Sequence, residues 1–543
     1  MVVSRRFEIP GVALAFVALT AIMTWPHVTV LSTHAPGHQD IYFNLWRLRW
    51  IAHALVTQPI QLFHGNIFHP EPLTLTLSDA ILVEGLIAAP LFWVGLPPVL
   101  VHNLVLWAAI AGSAVGIYVL ARELTGSRAG AFASGVIFAF APYRFDHYMH
   151  MELQWAVWIP WAFWALHRTV RTGAVGYGAL TGAFIGLQML SCIYYGLLLA
   201  VLLPPIGLVL LVGARRNPAA RRAAFRALPA GVVLAAVICG AYAVPYLETK
   251  QRVGDRGHHE IHRFSARPSS YLSATPENVV WGDAFGGRSR PERRLFPGAL
   301  ALLLAFVGLT LRPAATTRVA YLVGLAAAFE LSLGFSGYSF PFLREHVPAF
   351  QGLRAMARAG LFVLFFVAVL AAYGLAFLSA ARGPRARRLL AALVVVMLLG
   401  EYRVQPLDLV PYPNEPPPLH AWLAQQPRGV VVEVPMPLPR ALPGEDPRYS
   451  YLSTFHWHPI LNGYSGFYPR SYLNRAKAMR DFPAEQAVAR LRAEGAQYLV
   501  VHLGAYPTAG RVAILDALTV RDGMAHLASF RGADGPVLVF AVR

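Results

Sequence analysis

Charge, acid and cysteine are all scarce in this chain. Only 14% of its residues are charged against 56% hydrophobic, and its mean hydropathy is +0.47. Soluble proteins carry about 25% charged residues, so 543 residues of this composition have too few polar groups to cover a water-facing surface. A soluble globular enzyme is excluded. Acidic residues number 28 against 46 basic ones, a net charge of +18. In a soluble chain that excess would point to nucleic acid. Here the arginines cluster between apolar runs and no nucleic-acid motif occurs, so the charge reports topology. The two cysteines, Cys192 and Cys239, lie inside apolar runs without motif spacing. They read as packing residues, not as a disulfide or a metal pair.

What the chain has instead is apolar runs. A helix needs about 20 such residues to cross a bilayer. Candidate spans lie near 9–31, 99–121, 127–143, 152–167, 174–190, 193–213, 228–247, 297–312, 317–335, 358–380 and 388–404, or about eleven crossings. The first follows the short basic stretch Met1 to Arg6 with no A-x-A-like site, and is read as an uncleaved span in preference to a signal peptide. The run Ile81 to Leu96 is interrupted or bounded by Glu84, Gly85, Pro90 and Pro97, and reads as re-entrant or interfacial.

Arginine placement assigns the sides. With the N-terminus inside, the inner loops hold Arg5, Arg6, Arg122, Arg128, Arg168, Arg171, Arg215, Arg216, Arg221, Arg222, Arg226, Arg312, Arg318, Arg382, Arg385, Arg387 and Arg388. The short outer loops hold chiefly Arg144, Arg344 and Arg354, the bias expected of a positive-inside protein. Counting Ile81 to Leu96 as a full span would put several basic loops on the wrong side. The loop after Glu248 is arginine-rich against the trend, but long loops obey the rule less strictly. The expected architecture is a polytopic α-helical membrane protein, N-terminus in and C-terminus out, in a bacterial inner (plasma) membrane. It comprises a membrane module, 1–404, with external loops 32–98 and 248–296, and a small extracytoplasmic α/β soluble domain, 405–543. None of the external pieces carries an Asn-x-Ser/Thr sequon.

The signals for that domain are local. A proline-rich linker, Pro406 to Pro418, precedes the β-branched run Val430 to Val434. A helical pattern from Pro483 to Glu494 leads into a strand, Gln497 to His502. Leu527–Phe530 and Val537–Val542 flank a Gly532-Ala533-Asp534-Gly535 turn and predict a hairpin.

The first external loop reads Pro36-Gly37-His38-Gln39-Asp40, then an aromatic and arginine-bearing run from Ile41 to Trp50. Tryptophan and arginine together favour the headgroup layer, so a flat juxtamembrane helix is expected, with Asp40 capping its N-terminus. This arrangement, with many further spans and a terminal soluble domain, resembles the GT-C superfamily of integral-membrane glycosyltransferases. The string His38-Gln39-Asp40-Ile41-Tyr42-Phe43-Asn44-Leu45-Trp46 is similar to the first-loop motif of bacterial members. So is Phe138-Ala139-Phe140-Ala141-Pro142-Tyr143-Arg144 with His147 and His150, and Leu461-Asn462-Gly463-Tyr464-Ser465-Gly466-Phe467 resembles a segment of their external domain. Many members carry two acids in or near this loop. Here Asp40 has no adjacent acid, and Asp79 and Glu84 match no motif.

The resemblance implies sugar transfer from a polyprenyl-phosphate donor to a glycan or lipid acceptor at the external face, with the bilayer as the other partner and no nucleic acid. Asp40 would accept or orient the acceptor's proton, and cationic donors would bind the leaving phosphate. Arg354 and Arg358, four apart and expected on one helix face at the mouth of a span, suit a phosphate, though headgroup snorkelling explains them equally. Arg144, His147 and His150, with His38, are substrate-contact candidates beside the alternative of interfacial anchoring. No cofactor is expected. His258, His259 and His262 could be written as metal ligands, but no metalloenzyme motif surrounds them and no metal is assigned. Trp281 to Gly287 reads as a flexible loop. Two other functions fit the same class: a transporter or flippase, for which Glu330 is the clearest charge inside a span, and a non-catalytic scaffold presenting His456-Trp457-His458-Pro459 and Tyr464 to Tyr468 to an envelope partner.

Overall fold

Each apolar run proposed above contains a helix among its described residues. The computed structural model describes residues 5–287, 289–310, 316–532 and 534–543. Arg288, Arg312, Ala533 and the side chains of Arg5, Arg6 and Arg216 lie outside that description. The chain divides into two compact units: Met1–Leu31 with Asn103–Val244 and Asp255–Leu409, and Ser32–His102 with Pro245–Gly254 and Val410–Arg543.

The first unit is a helical bundle. Its helices include Arg5–Met23, Arg128–Phe140, Trp158–Thr172, Val175–Ser191, Ile193–Gly213, Ala299–Thr310, Thr316–Ser332, Gly360–Ala380 and Pro384–Glu401. Among the described residues, four helical stretches are long and apolar enough to cross a membrane: Pro98–Thr125, Ile193–Gly213, Pro218–Val253 and Met356–Ala380. The helix Gly360–Ala380 is apolar all round and is buried along nearly its whole length. That pattern marks a core helix, and it packs against Arg128–Phe140, Ala299–Thr310 and Thr316–Ser332. Its approach to Ala299–Thr310 is set by glycine. A Cβ on Gly374 would lie 2.0 Å from the Leu304 carbonyl, and one on Gly308 2.1 Å from that of Leu370. Without cavity-forming side chains between them, two backbones reach this distance only at small residues.

Arginines expected inside are gathered on two carboxylates of this unit. Glu8 receives Arg122 at 2.9 Å and Arg128 at 2.7 Å. Glu123 receives Arg168 at 2.8 Å and Arg171 at 2.9 Å. Glu330, read above as a charge within a span, sits near the end of its helix and accepts the N–H groups of Tyr338 and Ser339. It closes a turn. The expected flexible loop at Trp281 holds a helical turn, Gly282–Phe285, with Trp281 donating to Glu401 at 2.9 Å.

The second unit mixes helix and sheet. Strands β1 (Val430–Val434), β2 (Ala496–His502), β3 (Met524–Gly532) and β4 (Gly535–Val542) align in the order β1-β2-β4-β3, with β1 parallel to β2 and the other pairs antiparallel. The β-branched and apolar runs supply the buried members Val431, Val432, Leu499, Val500 and Val539. Helices Glu485–Ala493 and Thr508–Thr519 precede and follow β2.

This sheet continues through the chain's first loop. Residues 459–461 exchange backbone hydrogen bonds with Val431 on one side, and 460–462 with Asn66, Phe68 and His69 on the other. The helix Gln39–Thr57 packs on Leu82–Trp93 and on Asp446–Leu452. At a rise of 1.5 Å per residue the 12-residue helix Leu82–Trp93 is about 18 Å long, short of the ~30 Å hydrocarbon core.

Candidate active site

In the second unit, the chain approaches Asp40 extended and then turns sharply into helix. His38, at φ −150° and ψ 148°, is the N-cap of Gln39–Thr57, and its Nδ1 accepts the Asp40 N–H at 3.1 Å. Asp40 was expected to be that cap. The imidazole takes the position instead, which places the Asp40 carboxylate in the first helical turn, where the helix dipole favours negative charge. His38 Nδ1 and Asp40 Oδ2 stand 3.6 Å apart. The lone pair of Nδ1 faces the amide, so this contact is not an ion pair.

Asp40 is met by the far end of the chain. Tyr464 donates its hydroxyl to Asp40 Oδ1, and the Tyr464 ring stands edge-on to Phe43 at 5.3 Å. Tyr412 accepts the His38 N–H at 3.2 Å and lies 2.8 Å from the Pro36 carbonyl and 3.0 Å from that of His38. The Asp40 side chain keeps 16% of its surface accessible. Two segments singled out separately in the sequence, 38–46 and 461–467, thus meet at one carboxylate.

Behind Tyr464 lies a buried polar network. Asn462 Oδ1 accepts the Glu433 N–H at 2.8 Å, and its Nδ2 donates to the Glu433 carbonyl and to Asp446 Oδ1, both at 2.9 Å. Tyr472 donates to Asp446 Oδ2. Burial pushes the Asp446 carboxyl up to about 7, against the opposing pull of Tyr472 and Asn462. Glu433 is equally buried, yet its hydrogen bond to His502 (2.7 Å) and nearby positive charge outweigh desolvation and hold its carboxyl below the usual range. Arg475, fully buried, donates to the Leu461 carbonyl at 2.6 Å and to that of His69 at 3.0 Å, and pairs with Glu494.

Trp46, Arg47 and Trp50 of the 39–57 helix are buried within the protein. Trp46 is fully buried and donates to Asn66 at 2.9 Å, Trp50 donates to the Leu62 carbonyl at 2.8 Å, and Arg47 donates to Asp79 O at 2.6 Å and to Asn44. The run has an amphipathic composition, and the rest of the loop supplies carbonyls and an amide that accept hydrogen bonds from it. The acids weighed as partners of Asp40 are also enclosed: Glu84 is fully buried and Asp79 is 9% exposed. Nor is His456-Trp457-His458 an open platform. His458 bonds to Gly429 and Leu423, His456 stacks on His420, and the Trp457 ring stacks on His53 at 3.9 Å.

The remaining candidates belong to the first unit. Arg144, expected to contact substrate, is 2% exposed and donates to the carbonyls of Leu153 (3.3 Å) and Gln154 (3.0 Å). Gln154 returns hydrogen bonds to the carbonyls of Arg144 and His147. Arg144 therefore closes the turn that carries the two histidines. His147 Nδ1 faces His150 Nδ1 at 3.2 Å, while the buried Nε2 of His147 has no hydrogen-bond partner among the described residues.

Arg354 and Arg358 do not share a helix face. Leu353 is extended, a 3-10 turn spans Met356–Ala359, and the helix begins only at Gly360. A spacing of four has its helical meaning only inside a helix. What joins the two arginines is Tyr194, which sequence reasoning missed because nothing marks it out at the start of its apolar run. Its hydroxyl accepts the Arg354 N–H at 2.8 Å, and the Arg358 guanidinium lies 4.5 Å from its ring centroid. Arg358 is 6% exposed and meets no carboxylate within ion-pair distance among the described residues. The Arg354 side chain, 35% exposed, pairs with Glu260 at 3.1 Å, an oxygen that also takes Arg256 at 3.3 Å.

Among the described residues no three His, Cys, Asp or Glu side chains are arranged to hold a metal. The His258 ring stacks on Phe335 at 4.5 Å.

No protein-family model matches the sequence, and neither does any curated protein. Among solved structures, the chain is similar to the Archaeoglobus fulgidus oligosaccharyltransferase in the apo form, at 14% identity and a TM-score of 0.49, over 98% of this chain and 74% of that one. It is also similar to ArnT from Cupriavidus metallidurans bound to undecaprenyl phosphate, at 14% identity and a TM-score of 0.47. The apo state of the same ArnT aligns at 15% identity and a TM-score of 0.40, and both ArnT alignments span 98% of each chain.

Proposed function

We propose that this chain is a multi-pass membrane glycosyltransferase that moves a hexosyl or pentosyl unit from a polyprenyl-phosphate donor to a cell-envelope glycan or lipid at the external face. The observation that carries the reading is the Asp40 carboxylate, set in the first turn of a helix, partly accessible and held by Tyr464. In the proposed step the acceptor hydroxyl oxygen attacks the anomeric carbon, its proton passes to Asp40, and the sugar–phosphate C–O bond breaks to release polyprenyl phosphate. A phosphate leaves as an anion and needs cationic hydrogen-bond donors, not a general acid. Arg358, buried without a carboxylate at contact distance, is the principal candidate, with His147 Nε2 and His150 beside it in the same unit and Arg354 at a more exposed position. His38 and Arg144 act by holding the backbone around these groups.

The membrane reading is supported by helices within the expected crossings, with four helical stretches among the described residues long and apolar enough to span. We keep the N-in, C-out topology in a bacterial plasma membrane as part of the proposal, with the 405–543 region outside. Leu86, Ile87, Trp93 and Val94 of the short helix and its end are exposed apolar residues, as an interfacial segment requires. The test is direct. The purified protein, given a polyprenyl-phosphate sugar and candidate acceptors, should transfer sugar, and an Asp40→Asn variant as fast as wild type would sink the assignment.

A further inference from the structure

We infer that Tyr464 is the positioning residue for Asp40, so that the C-terminal segment is a working part of the site and not a cover over it. The inference rests on the proposed role of Asp40 and adds to it a second residue, 424 positions away in sequence.

Tyr464 has little freedom to be elsewhere. The residues leading to it, 459–462, are fixed by backbone hydrogen bonds on both sides, to Val431 and to Asn66, Phe68 and His69. Asn462 uses both ends of its amide on the backbone of Glu433 and on Asp446, which prevents rotation of its side chain. At Gly463 a Cβ would fall 2.6 Å from the Phe68 ring, so only glycine lets the chain pass at this point. Phe43 then stands edge-on to the Tyr464 ring, on the same helix that carries Asp40. Each of these restraints is satisfied inside one compact unit. Together they aim a single phenol at a single carboxylate oxygen.

The chemistry follows from what a phenol is. With an ordinary pKa near 10 it is a neutral donor at physiological pH, whereas a carboxylate is an acceptor only when ionised. A donor of this kind favours the ionised form, the form that can take a proton from the acceptor, and it fixes the plane of the carboxylate. The proton removed from the acceptor stays on Asp40, and the Tyr464 proton stays on Tyr464. Asp40 is also faced by His38 on its own helix and by Tyr468, 6.5 Å from Tyr464, whose phenol is held up by burial and by the charges of Asp446 and Asp40.

The experiment compares wild type, Tyr464→Phe, Asp40→Asn and the double variant in sugar transfer across pH. Phenylalanine keeps the ring against Phe43, so folding is checked by unchanged thermal unfolding in detergent. The expected result for Tyr464→Phe is a fall in kcat of about tenfold to a hundredfold with the donor KM little changed, as loss of one bond to a charged group implies. The acid limb of its pH profile should move to higher pH by about one unit. In the Asp40→Asn background the same change should have no further effect. An equal effect in both backgrounds overturns the inference, as does an unmoved acid limb. Isotope-edited infrared titration of the Asp40 carboxylate reads the bond without any turnover. If Asp40→Asn is as active as wild type but Tyr464→Phe still raises that titration, the proposed base fails while the hydrogen-bond role stands. No change in the titration removes the role of Tyr464 whatever the activity.

Discussion

The two polar regions differ in how completely they are satisfied. Around Asp40 and Asn462, most amides, phenols and carboxylate oxygens are matched donor to acceptor, down to both ends of the Asn462 side chain, with Glu433 Oε1 and Ser465 Oγ as exceptions among the described residues. Around His147 and Arg358, a buried guanidinium lies over a tyrosine with no carboxylate at contact distance, and a buried imidazole nitrogen has no partner among the described residues. A satisfied network holds a geometry, and an incompletely satisfied cationic one suits an anion that arrives from outside. On the proposed function, the contrast separates a region that positions from a region that binds.

The comparison is broken most severely at Asp40. Asp40→Asn should lower kcat by about 10²–10⁴-fold, the range for a general base, with unfolding in detergent unchanged. On the binding side, Arg358→Ala should raise the donor KM by about ten- to a hundredfold, and lysine should restore only part of it because it lacks the planar fork. Arg144→Ala, by contrast, should cost about 1–3 kcal/mol of stability through the orphaned carbonyls of Leu153 and Gln154, and appear in unfolding before it appears in KM. Smallest of the binding effects, Arg354→Ala should change KM by only about two- to threefold, since its guanidinium is more exposed and already paired with Glu260.

The network around Asn462 also has a pH signature. Asp446 is held up to about 7 in the folded chain, so its neutral form is the stabilising one. Its contribution is whole below the ordinary carboxylate range and is lost as pH rises through about 7. The thermal midpoint of wild type in detergent should therefore fall as pH rises from about 4 to about 7 and level off above that. Asp446→Asn, which cannot ionise, should flatten that fall, with Tyr472 turning to accept where it now donates.

Much of this molecule was legible as pattern. Apolar run length located the helices, β-branching located β1, an apolar run after a helical pattern located β2, and the paired runs about Gly535 located β3 and β4, because these depend on neighbours a few residues away. The helix N-cap was misread by two residues, since His38 and Asp40 both carry acceptors and only the backbone shows which is used. Arg354 and Arg358 were misplaced because spacing does not reveal where a helix begins. The burial of Trp46 and Arg47 was hidden because their partners Asn66 and Asp79 lie 20 and 32 residues on. Tyr464 could be singled out in its own segment, but a contact across 424 residues leaves no periodic trace.

That separation has a consequence in time. Asp40 leaves the ribosome early, whereas Tyr464, Arg475 and the residues they anchor emerge some 400 positions later. Segments 36–40 and 66–69 must wait for them, with the intervening helices already made. The proposed base is therefore assembled last although it is encoded first. A chain halted before residue 464 would carry every expected crossing and still lack the Tyr464 bond to Asp40, so on the proposed function sugar transfer would wait for that residue.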